Sequence, residues 1–308
     1  MLSRSLKWLA VTAGELPPVP VPVTDEREEL MKLAARHGVL PAVARRLEES
    51  GGQELIQLMG RTMMLRLRLE EIQRGLREDG VPFVVLKGAE FADRLYPDPS
   101  LRGFTDIDLL MPRVAVEASG ETLRRLGYEV KTIKDLRHAE PYGEQLWQPV
   151  GRPKFGVEVH WNLVNSPAVQ RGVSVQFEDL QRDEAGRLSA ASLLLIAAVH
   201  GAVSHQFDRL QLLCDVRQAA SGVAGKLDEA YLASVAVRTG SRLALVTALG
   251  LGERMWNDTE CGRLRRAMPV RAVDGVASWL ITPRLVLEMD AKTGSLRRRL
   301  FRELLKRR

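Results

Sequence analysis

Asp106 and Asp108 stand one residue apart in the run FTDIDLL, residues 104–110. On a strand, alternate side chains share a face, so both carboxylates point the same way with backbones about 6–7 Å apart. Convergent carboxylates supply the oxygen ligands that hard divalent ions prefer. Ile107 and Leu109 then point into the core. Taken alone, Asp-x-Asp is equally at home at a solvated strand end. In FGVEVHW, residues 155–161, Val157, Val159 and Trp161 alternate inward and leave Glu158, His160 and Asn162 on the other face. That face is either a site with a third carboxylate and an imidazole, or a wet sheet surface. Lys87-Gly88 lies between an apolar run and a helical one. A glycine there lets backbone amides approach a phosphate at a helix N-terminus, and Lys87 adds a point charge; a simple tight turn has the same sequence. Arg102, in the loop before the aspartates, is either a bidentate phosphate partner or a surface arginine.

These residues need elements to hold them. PFVVLK, 82–87, reads as a short buried strand, AEFADRLY, 89–96, as a helix ended by Pro97 and Pro99, and residues 113–126 as a helix stopped by Gly127. QLWQPV, 145–150, and FGVEVHW flank Gly151-Arg152-Pro153 and predict a β-hairpin. Before this mixed unit lie a proline-rich stretch at 15–23 and two helices. In the second, about 54–78, Leu55, Leu58, Met63, Leu67 and Ile72 are expected to face the core. From Ser189 onward the pattern is helical again. The expected division is an N-terminal segment 1–24, a helical region 25–79, a catalytic core 80–180 and a C-terminal helical domain 186–308. The fold class is α+β.

The order of features, a strand, Lys-Gly, a helix, Asp-x-Asp and a later strand with a carboxylate, resembles the nucleotidyltransferase core of the DNA polymerase beta superfamily. LKGAEFADRLYPDPSLRGFTDIDLLMP and VEVHWNL resemble more closely a bacterial family called uncharacterised nucleotidyltransferases, as do the flanks LAARHGVLPAVARRL and LLLIAAVHGAVSHQFDRLQLLCDV. The resemblance covers roughly residues 28–220. Ala89 departs from the Ser or Gly usual in the superfamily's turn, and the spacing from Gly88 to Asp106 is longer than the superfamily's. The resemblance implies a mixed-sheet core flanked by helical regions. It also implies transfer of a nucleoside monophosphate from an NTP, with ATP as candidate donor, to an acceptor hydroxyl on a small molecule, peptide or protein. Asp106, Asp108 and Glu158 are the implied catalytic and metal-binding residues, holding two Mg2+ ions, with Mn2+ as the alternative. Lys87, Gly88 and Arg102 are implied for the nucleotide. His160, His200, His205 and Asp215 are candidates for the acceptor pocket, each with a structural role as the competing reading. Transfer to a tRNA end and an inactive binding module are the competing functions.

Charge bears on the nucleic-acid alternative. The net charge is +6, and the last fourteen residues, SLRRRLFRELLKRR, carry all of it, so the rest of the chain is formally neutral. A basic nucleic-acid surface is therefore not expected on the body. Leu296, Leu300, Phe301, Leu304 and Leu305 follow helical spacing in this tail. Docking on the body is the expected fate, with weak contact to an anionic membrane surface as the alternative. Lys131, Lys134 and Arg137 form a basic run, either a loop over the nucleotide or a solvated segment. Two cysteines match neither a disulfide framework nor a zinc cluster. The start has no long apolar region of the secretory kind, and a cytoplasmic location is expected.

Overall fold

Helix α1 (Thr24–Arg36) and α2 (Leu40–Leu47) precede the long α3 (Gln53–Glu78). A five-stranded mixed sheet with its helices follows: β1 (Val84–Val85), α4 (Ala89–Leu95), β2 (Ile107–Leu110), α5 (Val116–Arg125), β3 (Tyr128–Val130), β4 (Glu144–Pro149) and β5 (Val157–His160). The computed structural model describes residues 8–9, 24–47, 52–131, 142–151, 155–288 and 291–307. The proline-rich stretch, Lys134, Arg137 and the Arg152-Pro153 tip of the expected hairpin lie outside these residues.

Strand order is β1-β2-β5-β4-β3. The expected hairpin is β4 paired antiparallel with β5, and β5 in turn runs parallel to β2. β3 was not expected from the sequence; it is three residues long and only Tyr128 of it is buried. Ile107, Leu109, Val157 and Val159 pack on one side of the sheet against Leu65, Leu69, Ile72 and Leu76 of α3 and Val116 and Leu123 of α5. Met63 and Leu67 do not join them: they are 67% and 60% exposed. The helix carries apolar residues on more than one side, and the set at 65, 69, 72 and 76 is the one whose 3.6-residue phase meets the sheet.

The other face of the sheet is covered as well. Val84, Leu86 and Leu110 share an apolar cluster with α1 and with the C-terminal helices, led by α7 (Ala190–Val203) and α8 (Leu210–Ala220). Between β5 and α7 lies the short α6 (Pro167–Gln170). Ser189 caps α7 by accepting from the Ser192 amide at 3.2 Å. A helix apolar all round must be buried on all sides, and every residue of α7 is buried except His200. The remaining helices are α9 (Glu229–Arg238), α10 (Arg242–Trp256), α11 (Thr259–Ala267), α12 (Ala272–Ala277), α13 (Pro283–Leu287) and α14 (Ala291–Leu305). No described helix is long and apolar enough to cross a membrane.

The tail helix α14 docks, though not along its whole stripe. Phe301 and Leu305 are buried in the main core, whereas Leu296 and Leu300 are 64% and 46% exposed. Burying two large apolar side chains contributes roughly 3–6 kcal/mol. Deleting residues 295–308 is therefore expected to lower unfolding free energy by about that amount in a denaturant titration. Any transfer activity measured well below the melting point should survive, because no tail residue lines the cleft described below.

His37 supplies a pH dependence unrelated to the site. It is fully buried at the end of α1, where its Nδ1 accepts from the Leu210 amide at 3.4 Å. Burial pushes its pKa down from 6.5 to about 4, with the charges of Arg36, Asp208 and Arg209 adding smaller effects. The unfolded chain takes up a proton below pH 6.5 that the folded one refuses until about pH 4. Stability should thus fall as pH drops through that window, by about 3 kcal/mol from this group. Urea titrations of the wild type and His37→Gln at pH 7 and 4.5 test this: the variant should lose less stability between the two. Equal losses would remove His37 as the source.

Candidate active site

β1 delivers the first side chain. The Leu86 amide donates to the Asp108 carbonyl at 3.0 Å, and the chain then turns through Lys87-Gly88 into α4. Gly88 has φ +59° and ψ −114°, a conformation that a Cβ disfavours. The Lys87 ammonium lies 2.7 Å from Asp108 Oδ2 and 3.2 Å from Asp106 Oδ2. β2 begins at Ile107, so Asp106 sits in the bend before it, yet both aspartates meet the same cation.

Strand register assembles the rest. The parallel β2–β5 pairing sets Glu158 beside Asp108 and His160 beside Leu110. The antiparallel β4–β5 pairing sets Glu144 opposite His160. His160 is 4% exposed. Its Nε2 lies 3.4 Å from Asp108 Oδ1 and 3.4 Å from Glu158 Oε2, and its Nδ1 lies 3.2 Å from Glu144 Oε2. Donor atoms of Asp108, Glu158 and His160 all fall within 4.8 Å of one another, close enough to share one metal ion. Asp108 is 1% exposed, so this is a recessed group and not an open strand face.

The electrostatics follow from crowding four carboxylates around one lysine and one imidazole. Burial works to raise the Asp108 carboxyl, but the Lys87 ammonium and His160 override it and hold the group well below the usual carboxylate range. Burial likewise opposes charge on Lys87, and Asp108 and Asp106 more than compensate, raising its pKa. His160 is raised to about 9: burial opposes its proton, while contacts with Asp108 and Glu158 retain it. Glu144 is raised, mainly by burial. Asp108 Oδ2 is buried, with the Lys87 ammonium 2.7 Å away as its counter-ion. A buried, strongly anionic oxygen bridged to its neighbour only by an ammonium is suited to a divalent cation, with the ammonium standing in for it.

Arg102 and Asp215 meet each other. Arg102 Nε and Nη2 donate to the two Asp215 oxygens at 2.7 and 2.8 Å, and Tyr96 donates to Oδ1 at 2.8 Å. Arg102 Nη1 donates to the Gly88 carbonyl at 3.2 Å, and its guanidinium lies over the Phe91 ring. Arg102, expected at the nucleotide, and Asp215, expected at the acceptor pocket, thus meet in an internal ion pair beside the Gly88 turn, and Arg102 also lines the cleft next to Lys87. Asp215 is 2% exposed.

Beside Lys87 and Asp106 opens a cleft of about 530 Å³ whose wall includes Arg61 of α3, His200 of α7, and His205 and Arg209 from the loop after it. The His200 and His205 rings meet edge to face at 4.9 Å. Burial and the nearby Lys87 charge depress the His200 pKa well below its ordinary value, leaving a neutral imidazole. Gln206 and Phe207 both have positive φ, +46° and +53°, rare for side-chain-bearing residues. Phe207 is fully buried against Gly201, where an added Cβ would come within 2.6 Å of its ring. That anchor holds the strained loop and aims His205 at the cleft. His160, expected near this pocket, stands instead among the carboxylates. Glu144, Arg61 and Arg209 carried no sequence signal by themselves; Glu144 needed the hairpin register, and the arginines needed the helix packing.

The family model for uncharacterised nucleotidyltransferases matches residues 24–257. No curated protein and no solved structure matches the chain.

Proposed function

The chain belongs to the uncharacterised nucleotidyltransferase family, and from that premise we propose that it transfers a nucleoside monophosphate from an NTP, ATP being the first candidate, to an acceptor hydroxyl. The observation that carries this reading is the register that sets Asp108 beside Glu158, with Asp106 joined to them through the Lys87 ammonium. In the reaction the acceptor oxygen bonds to the α-phosphorus, the bond from that phosphorus to the pyrophosphate oxygen breaks, and pyrophosphate leaves. Divalent cations, Mg2+ or Mn2+, held by Asp106, Asp108 and Glu158, supply neutralisation of charge on the attacking and leaving oxygens.

The chain's own groups do the rest. Lys87, between the two aspartates and on the cleft wall, would meet the triphosphate as a point charge. Gly88 lets the backbone come close to the phosphates, and Arg102 fixes that turn through its carbonyl. Glu158, half-open at 31% side-chain exposure, takes the acceptor proton or completes the cation site nearer the acceptor. The cleft beyond Asp106 receives the acceptor, with His200 and His205 on its wall. A hydroxyl on a small molecule, peptide or protein fits the formally neutral body better than a long nucleic acid does.

The test is incubation of the purified chain with each α-labelled NTP, Mg2+ or Mn2+, and separated small-molecule, protein and RNA fractions of a cell extract. Label should pass to a small-molecule or protein fraction and fail to pass with Asp108→Asn. Label in RNA would replace this reading with transfer to a tRNA end, and no label from any NTP would defeat it.

A further inference from the structure

We infer that His160 is a nitrogen ligand of the cation site, oriented from behind by Glu144, and that this imidazole turns the site towards Mn2+ over Mg2+. The inference rests on the nucleotidyl-transfer reading for the presence of a cation and on the following geometry for the ligand.

His160 Nε2 stands 3.4 Å from a carboxylate oxygen on either side, Asp108 Oδ1 and Glu158 Oε2. A simple counter-ion would favour one of them with a charge-assisted bond of about 2.7–2.9 Å. Here Nε2 stands equally between the two carboxylates, hydrogen-bonded to Asp108, where a third ligand of a shared ion would stand. The donor atoms of Asp108, Glu158 and His160 lie within 4.8 Å of one another, a spacing that one ion can draw together. The remaining ring nitrogen, Nδ1, is buried without a hydrogen bond, as is Glu144 Oε2, and the two stand beside each other. Nδ1 faces Glu144 Oε2 at 3.2 Å, on a side chain only 18% exposed. A carboxylate behind a ligating imidazole fixes the proton on Nδ1 and turns the lone pair of Nε2 towards the metal. The other oxygen of the buried Asp108 carboxylate, Oδ2, is paired with the Lys87 ammonium at 2.7 Å.

Ligand type then decides the metal. Mg2+ keeps to oxygen and gives up its waters reluctantly, whereas Mn2+ accepts an imidazole in an otherwise oxygen shell.

The experiment is electron paramagnetic resonance of Mn2+ added to the full chain, with binding measured by loss of the free-ion signal and Mg2+ as competitor. The wild type should show hyperfine coupling to one imidazole nitrogen, changing from 14N to 15N character when histidine is 15N-labelled. His160→Gln should lose the coupling, and its preference for Mn2+ over Mg2+ should fall about tenfold. Glu144→Gln should keep the coupling but bind Mn2+ roughly 10–100-fold more weakly. Bound Mn2+ without histidine coupling in the wild type overturns the inference, as does coupling that persists in folded His160→Gln. Should His160→Gln fail to fold, the labelled wild type and Glu144→Gln still decide the matter. Transfer by a wild type that shows no nitrogen coupling removes the imidazole ligand and leaves the transferase reading standing. A wild type that neither binds Mn2+ nor transfers removes both.

Discussion

Asp108→Asn is expected to cut nucleotidyl transfer about 10³-fold or more and to destabilise the protein measurably, whereas Asp106→Asn should lose activity to a similar order with little change in stability. The activity loss follows from removing a negative cation ligand worth several kcal/mol of charge stabilisation in the transition state, with each 1.4 kcal/mol a factor of ten. The difference in stability follows from burial. The Asp108 side chain is fully buried and that of Asp106 is 36% exposed. Lys87 and His160 hold the Asp108 carboxyl well below its usual range, so the folded state favours the charged form and neutralisation costs stability. The cost is about 1–3 kcal/mol, since Lys87 keeps Asp106 as a partner. Single-turnover transfer from labelled NTP, run beside denaturant unfolding, reads both quantities. Activity within tenfold of wild type in a folded Asp108→Asn protein would remove Asp108 from the chemistry.

The sequence exposed this site unevenly, for physical reasons. Alternation along β2 and β5 was legible because Ile107, Leu109, Val157 and Val159 are all buried apolar residues on one face, which left Asp108, Glu158 and His160 to the other. The parallel register that makes Asp108 and Glu158 neighbours was not legible, because strand partners far apart in sequence leave no local mark. Glu144 was missed for the same reason: its meaning depends on standing opposite His160. In α3, Met63 and Leu67 have the right spacing for a core stripe and the wrong phase, and only packing chooses the phase. His200 was visible as a polar residue in the apolar run of α7, though its place on the cleft wall required the turn that follows it.

The pairing of Arg102 with Asp215 spans 113 residues, and it carries the largest stability effect expected of a single substitution here. Arg102→Met should cost about 3–5 kcal/mol, because it strips the buried Asp215 carboxylate of both guanidinium bonds and leaves it the Tyr96 hydroxyl as a donor. Arg102→Lys should fall in the same direction, since an ammonium cannot reproduce the two parallel bonds to Asp215 together with the contact to the Gly88 carbonyl. The double variant Arg102→Met/Asp215→Leu should recover much of the loss, because it removes the stranded charge and fills the space with apolar atoms. Urea unfolding of the wild type, Arg102→Met, Asp215→Leu and the double variant closes the cycle, and a coupling of several kcal/mol is expected. The same proteins separate two roles for the arginine. A phosphate ligand lost from an open site would raise KM for the NTP with unfolding unchanged. A brace for the Gly88 turn would lower stability, and in the stable double variant it would lower transfer as well, since the turn would have lost its hydrogen bond from Nη1. Single variants as stable as wild type would show that the ion pair is not what holds α4 and the Lys87-Gly88 turn against α8.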